Sequence, residues 1–175
     1  MEDRKLVVVG VDGSEDGLRA VKYGASFAAE TNGEVLLVHA VDDAMLAGAW
    51  GVVYDPEVLQ NAGANANEAA AAKAREIGLP GDRIRTEVVL GSPGGVLGRL
   101  SEVADLIVVG RRSVSGLERM FVGSTSVSVV ASSRCPVLVI SAAAHPQDVG
   151  NKKLIGVGLN TSRVNHSTLA AAFEQ

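Results

Sequence analysis

At 175 residues the chain suits one domain with an appendage, and 47% apolar content is enough to bury a core; with only 3% aromatic residues, that core is built from Val, Leu, Ile and Ala. A formal charge of −4 with no long basic block argues against a nucleic-acid scaffold, and no apolar run reaches the length of a membrane span. The single Cys135 excludes an internal disulfide framework and, with an N-terminus that lacks a signal-like apolar region, sets the expected location as the cytoplasm.

Residues 6–11 form a short apolar run, the pattern of a strand buried on both faces of a parallel sheet. Asp12-Gly13-Ser14 breaks it, and Ser14 opens a helix on which Leu18, Val21, Ala25, Ala28 and Ala29 recur at helical spacing. Thr31-Asn32-Gly33 closes that helix, and residues 34–41 form a second buried strand. Residues 42–54, with the only tryptophan at Trp50, read as a loop over one end of the sheet. Asp55-Pro56-Glu57 starts a long helix, because proline fits the first turn and acids favour that end. The helix runs through an Ala-rich stretch suited to close packing on a sheet and stops near Gly78-Leu79-Pro80-Gly81.

A third strand follows at 86–90, then a turn at Gly91-Ser92-Pro93 and a helix over 94–103 with Val96, Leu97 and Leu100 facing inward. A fourth strand, 106–109, feeds the loop that begins Gly110-Arg111-Arg112-Ser113 and ends Gly123-Ser124-Thr125-Ser126. A helix over 124–133 and a fifth strand at 137–140 complete the order. Strand and helix in alternation imply an α/β fold with an open parallel sheet and helices on both faces. Residues 154–162 (LIGVGLNTS) repeat 6–14 (LVVVGVDGS) without gaps. The expected layout is a domain at 1–142, a linker at 143–153, and the first strand and helix of a second repeat at 154–175. A chance strand and helix of a single domain is the bland alternative.

The candidate site lies where strands end. Ligands of open α/β sheets sit beyond the carboxyl ends of the strands, at the point where strand order reverses. Gly10 and Asp12 end the first strand; the carboxylate could accept from a ribose hydroxyl or an adenine amine, help hold a metal, or merely initiate a turn and cap a helix. Ala40 and Val41 end the second strand and could meet an adenine edge through their backbone. The loop after the fourth strand supplies Gly110, Arg111, Arg112 and Ser113, and Gly123, Ser124, Thr125 and Ser126 open a helix whose first N–H groups and dipole suit phosphate. Ser124 alone reads equally as a plain N-cap, and the two arginines as a solvated surface pair. There is no Walker-type lysine. Asp42-Asp43 could hold a cation beside a triphosphate or mark a solvated turn; His145 and His166 have no metal-site spacing. His39 reads as a packed core residue and Cys135 as a small packing residue. No nucleophile elbow or acid/base pair emerges, so no catalytic or metal residue is assigned.

These motifs carry a resemblance. VVVGVDGS, LLVHA, GSPGGVL and RCPVLVIS, with the loop between them, make residues 4–142 resemble a universal stress protein. The family's nucleotide motif is Gly, two residues, Gly, nine residues, Gly, then Ser or Thr. Here Gly110, Arg111-Arg112, Ser113, nine residues, then Gly123-Ser124 keep the spacing, with Ser113 in place of the second glycine. The resemblance implies a Rossmann-like fold of the adenine-nucleotide alpha-hydrolase type with strand order 3-2-1-4-5. It implies ATP or AMP as ligand, with Mg²⁺ as companion to ATP, and at most slow ATP hydrolysis. It implies a homodimer through the fifth strand or the tail, and a stress-response role as regulator or sensor. In the echo, Asn160 stands at the position of Asp12, which implies a changed or lost second site. The competing expectation is a dimeric interaction protein of the same fold that binds no nucleotide.

Overall fold

The computed structural model describes residues 4–42, 55–111 and 123–140. They belong to the compact unit Met1–Ala142. Residues 43–54 of the loop expected at 42–54, Arg112, Ser113, the linker and the repeat at 154–175 lie outside the described residues.

Strand β1 (Leu6–Gly10) is the middle of the sheet. Its β-branched residues Val7, Val8 and Val9 are wholly buried, since a central parallel strand is covered on both faces. Helix α1 (Glu15–Glu30) follows, capped by Ser14, whose hydroxyl accepts from the Gly17 N–H. It lies tightly on the sheet at Gly24, where a Cβ would fall 2.6 Å from Val9 Cγ2. The turn after it holds Asn32, the one non-glycine left-handed residue among those described (φ 54°).

Strand β2 (Glu34–Val41) pairs with β1, and helix α2 (Pro56–Glu76) then covers β2 and β3 on the same face as α1. Asp55 caps α2 by accepting from the Glu57 N–H at 2.9 Å. Ala70, Ala71 and Ala74 press on the sheet, as the Ala-rich pattern predicts. Strand β3 (Ile84–Leu90) begins two residues earlier than expected, straight out of a 3₁₀ turn at Gly81–Arg83. As the edge strand it leaves residues 85–88 and Leu90 exposed.

Helix α3 (Pro93–Leu100) is shorter than the predicted 94–103. The Ser101 hydroxyl donates to the Gly98 carbonyl and accepts from the Arg134 N–H, and the chain leaves the helix in turns, with Val103 69% exposed. Strand β4 (Leu106–Gly110), helix α4 (Ser124–Ser132) and strand β5 (Val137–Ile140) complete the unit.

All strands are parallel, in the order β3-β2-β1-β4-β5. The order therefore reverses between β1 and β4. Two apolar cores flank the sheet. One, under α1 and α2, centres on Val7, Val9, Leu37 and Val108; the other, under α3 and α4, on Val8, Leu36, Ile107 and Val129. Helices α3 and α4 meet along small residues: an added Cβ at Gly94 would collide with the Ser128 side chain, and one at Gly98 would come within 2.9 Å of Ser132 Oγ. Among the described residues no helix is long and apolar enough to cross a membrane.

Candidate functional site

The strand ends converge at the β1–β4 reversal. Gly10 closes β1 in a space no side chain fits easily: a Cβ would sit 3.0 Å from Leu97 Cδ1 and 3.3 Å from Val109 Cγ1. Gly110 closes β4 more tightly still, with a virtual Cβ 2.6 Å from the carbonyl carbon and oxygen of Asp16. The first turn of α1 thus rests directly on the end of β4. On the other side of Gly110, the Arg111 N–H donates to the Ile140 carbonyl at 2.6 Å, which ties the start of the loop to the end of β5.

Asp12 performs the structural one of the two roles that the sequence leaves open. Its Oδ1 accepts from the Ser14 N–H (3.0 Å) and the Ser14 hydroxyl (2.6 Å), so it shapes the turn that starts α1. The residue remains exposed at the sheet's carboxyl end, where a ligand hydroxyl can reach it. Ser14 stands between carboxylate and helix, donating to one and accepting from the other.

At the end of β2, Ala40 and Val41 differ. The ladder to β1 stops with Val11 N–H donating to the Val38 carbonyl, whereas Val41's carbonyl accepts from Gly91 N–H on the β3 side. Backbone groups alternate sides along a parallel strand, so Ala40 turns its N–H and C=O toward the β1 side, beyond the end of that ladder. Ala40 is therefore the residue whose backbone can meet a planar edge in the crevice. Val41 is buried and anchors β3.

Gly123, not Ser124, is the N-cap of α4, and no side chain caps the helix. Intrahelical bonding starts with Val127 N–H to the Gly123 carbonyl, leaving the N–H groups of Ser124, Thr125 and Ser126 without intrahelical acceptors. The first turn carries no acid. Ser124 is exposed and Thr125 half-buried, but Ser126 is 1% exposed and its hydroxyl donates to the Gly110 carbonyl at 3.2 Å. Of the expected residues, Gly10, Asp12, Ala40, Gly110, Arg111 and Gly123–Ser126 are all at this end of the sheet; Arg112 and Ser113 lie outside the described residues.

Two residues go beyond what the sequence pattern assigns. The sequence marks Ser14 as a cap but not as Asp12's partner, a pairing that the Asp-x-Ser spacing signals. Asn67 interrupts the Ala stripe of α2; it is buried, donating Nδ2 to the Glu87 carbonyl at 2.8 Å. Beside it a groove of about 260 Å³ is lined by Ala64, Glu68, Arg75 and Thr86, well away from the strand ends. His39 faces Gly63 of α2, with Nδ1 buried and without a partner among the described residues. Cys135 has its thiol pushed up from the ordinary value, mainly by burial, and its Sγ lies beside Ser133. No cluster of metal-ligating side chains occurs among the described residues.

The profile of the universal stress protein family matches residues 4–141. The chain belongs to that family. It is 33% identical over 143 residues to a universal stress protein of Methanocaldococcus jannaschii, covering 78% of this chain and 81% of that one. A universal stress protein of Mycobacterium tuberculosis is 32% identical over 180 residues; the match takes in 97% of this chain but 59% of the relative, so the chain spans about three-fifths of that protein. Among solved structures, a universal stress protein in complex with cAMP superposes with a TM-score of 0.60 at 28% identity, covering 79% of this chain and 97% of that one.

Proposed function

We propose that this universal stress protein binds an adenine nucleotide across the β1–β4 reversal and serves as a nucleotide-dependent stress-response regulator. The phosphates lie at the start of α4, the ribose at Asp12, and the adenine edge against the backbone of Ala40. One observation carries this reading: α4 begins without a side-chain cap and without an acid, at the point where strand order reverses. Uncapped N–H groups and the positive end of a helix dipole suit an anion. The cAMP held by a structural relative supports the adenine part. Arg111 beside Gly110 adds positive charge, and ATP with Mg²⁺ or AMP are the ligands to test. The reading is of nucleotide binding, with at most slow hydrolysis of ATP.

Isothermal titration calorimetry with ATP and Mg²⁺ tests it, with Asp12→Ala beside the wild type. Saturable binding that weakens in the variant is expected. Equal affinity in both proteins would remove Asp12 from the site.

A second reading concerns assembly. Val127 and Val130 of α4, and Leu138 of the edge strand β5, are exposed large apolar side chains (54%, 57% and 39%). They favour a homodimer through β5, which sedimentation of Val130→Asp against wild type would test; an unchanged sedimentation coefficient would count against it. The near-complete match of this chain to the mycobacterial relative supports a second repeat beginning near residue 154. The single cysteine fits a cytoplasmic setting.

A further inference from the structure

We propose that Ser126 is a positioning residue: its buried hydroxyl holds the start of α4 on the end of β4, and it acts on the phosphates of a nucleotide without its side chain touching them. This rests on the nucleotide reading above and assigns one residue of that site a different task from its neighbours.

Four consecutive residues, Gly123-Ser124-Thr125-Ser126, open the helix, and three carry hydroxyls. Only Ser126 is turned into the protein. It is 1% exposed, and its Oγ donates to the Gly110 carbonyl at 3.2 Å. That carbonyl belongs to the residue where the other supports of the site already meet. Gly110 lies against Asp16 and Gly17 of α1, and the next N–H, that of Arg111, is bonded to Ile140. The hydrogen bond therefore references α4 to a point fixed by α1, β4 and β5 together.

The seam between α3 and α4 is made of glycine and serine, with small side chains on both helices. Such a seam permits close approach but offers few interlocking knobs to set the axial position of α4. The Ser126 hydroxyl supplies that reference within the first turn itself. Its backbone N–H is one of the three donors that open toward an anion. An anion held by several N–H groups at once depends on their positions to a fraction of an ångström. A nucleoside without phosphate does not use those groups.

Removing the hydroxyl should therefore separate ligands by their phosphates. Calorimetry on wild type, Ser126→Ala and Ser126→Cys, with ATP, AMP and adenosine as probes, reads this directly. The alanine variant is expected to bind ATP about five- to tenfold more weakly, the scale of one net hydrogen bond. Its affinity for adenosine should stay within about twofold of wild type, inside the spread left by losing no net hydrogen bond. The cysteine variant keeps the volume but not the strong donor, and should show the same split even if alanine unsettles the fold. An equal loss for ATP and adenosine, or no loss for ATP, would overturn the role. A wild type that binds none of the three would instead remove the nucleotide reading and this proposal with it.

Discussion

Helices α1 and α4 both begin at the carboxyl end of the sheet, and both of their first turns touch Gly110. Their chemistry is opposite. The start of α1 is closed: Ser14 accepts from Gly17, Asp12 accepts from Ser14, and Glu15 and Asp16 supply negative charge that Arg19 pairs. The start of α4 is open: a glycine cap, no side-chain acceptor, no acid. A helix N-terminus is thus not a site by virtue of being one. Among the described residues the protein satisfies the first with its own side chains, whereas no side chain caps the second.

The comparison breaks most heavily at Gly110, where both helices rest. Gly110→Ala would place a methyl group 2.6 Å from the Asp16 carbonyl and 2.8 Å from the Gly17 nitrogen, all backbone. Overpacking of this kind costs about 1–3 kcal/mol, read as a lower urea midpoint, and should weaken ATP binding as well. Gly123→Asp would convert the α4 start into a copy of the α1 start. Gly123 already has the extended backbone of a cap (φ −58°, ψ 149°), so the carboxylate can accept from the first turn. Stability should rise by a few tenths of a kcal/mol while ATP affinity falls about tenfold, an uncommon pairing of signs that a melting curve and calorimetry check together. Ser14→Ala reverses the experiment. It removes the cap of α1 at a cost of about 1 kcal/mol, yet should leave the ratio of ATP to adenosine affinity unchanged.

The smallest expected effect is at Cys135, which enters β5 at the opposite end of the sheet. Burial raises its thiol pKa in the folded state. The unfolded chain then loses its proton first as pH rises. The stabilisation is complete below the unfolded pKa and disappears as pH climbs through the folded value. Above about pH 9, near the ordinary thiol range, wild type should lose slightly more of its urea midpoint than Cys135→Ser, with nucleotide affinity the same in both.

Much of this fold is legible in the chain because parallel strands covered on both faces must be apolar throughout. Val7–Val9 and Ile107–Val109 could hardly be elsewhere. Strand β3 is less legible at its start, since Ile84 and Arg85 lie on an edge where burial imposes no pattern. Helix α3 ends early for a reason that lies in Ser101, whose hydroxyl competes for backbone partners. In the site, spacing is enough to bring Gly10, Asp12, Gly110 and Gly123 together. It is not enough to divide labour among them. Three hydroxyls in a row look alike as letters. Which one is buried depends on the helical phase of α4 against β4, and which of Ala40 and Val41 faces the crevice depends on where the β1–β2 ladder ends.

The glycine–serine seam between α3 and α4 has a consequence for sequence change. Gly94 and Gly98 work as a gauge of thickness: the distance between the two helices is set by what is missing there. A substitution that adds bulk on this face is expected to push α4 outward, and its first turn with it. Variation along this strip would thereby reach the proposed phosphate-binding turn of α4, and Gly94 and Gly98 offer a place to retune it without touching that turn's own residues.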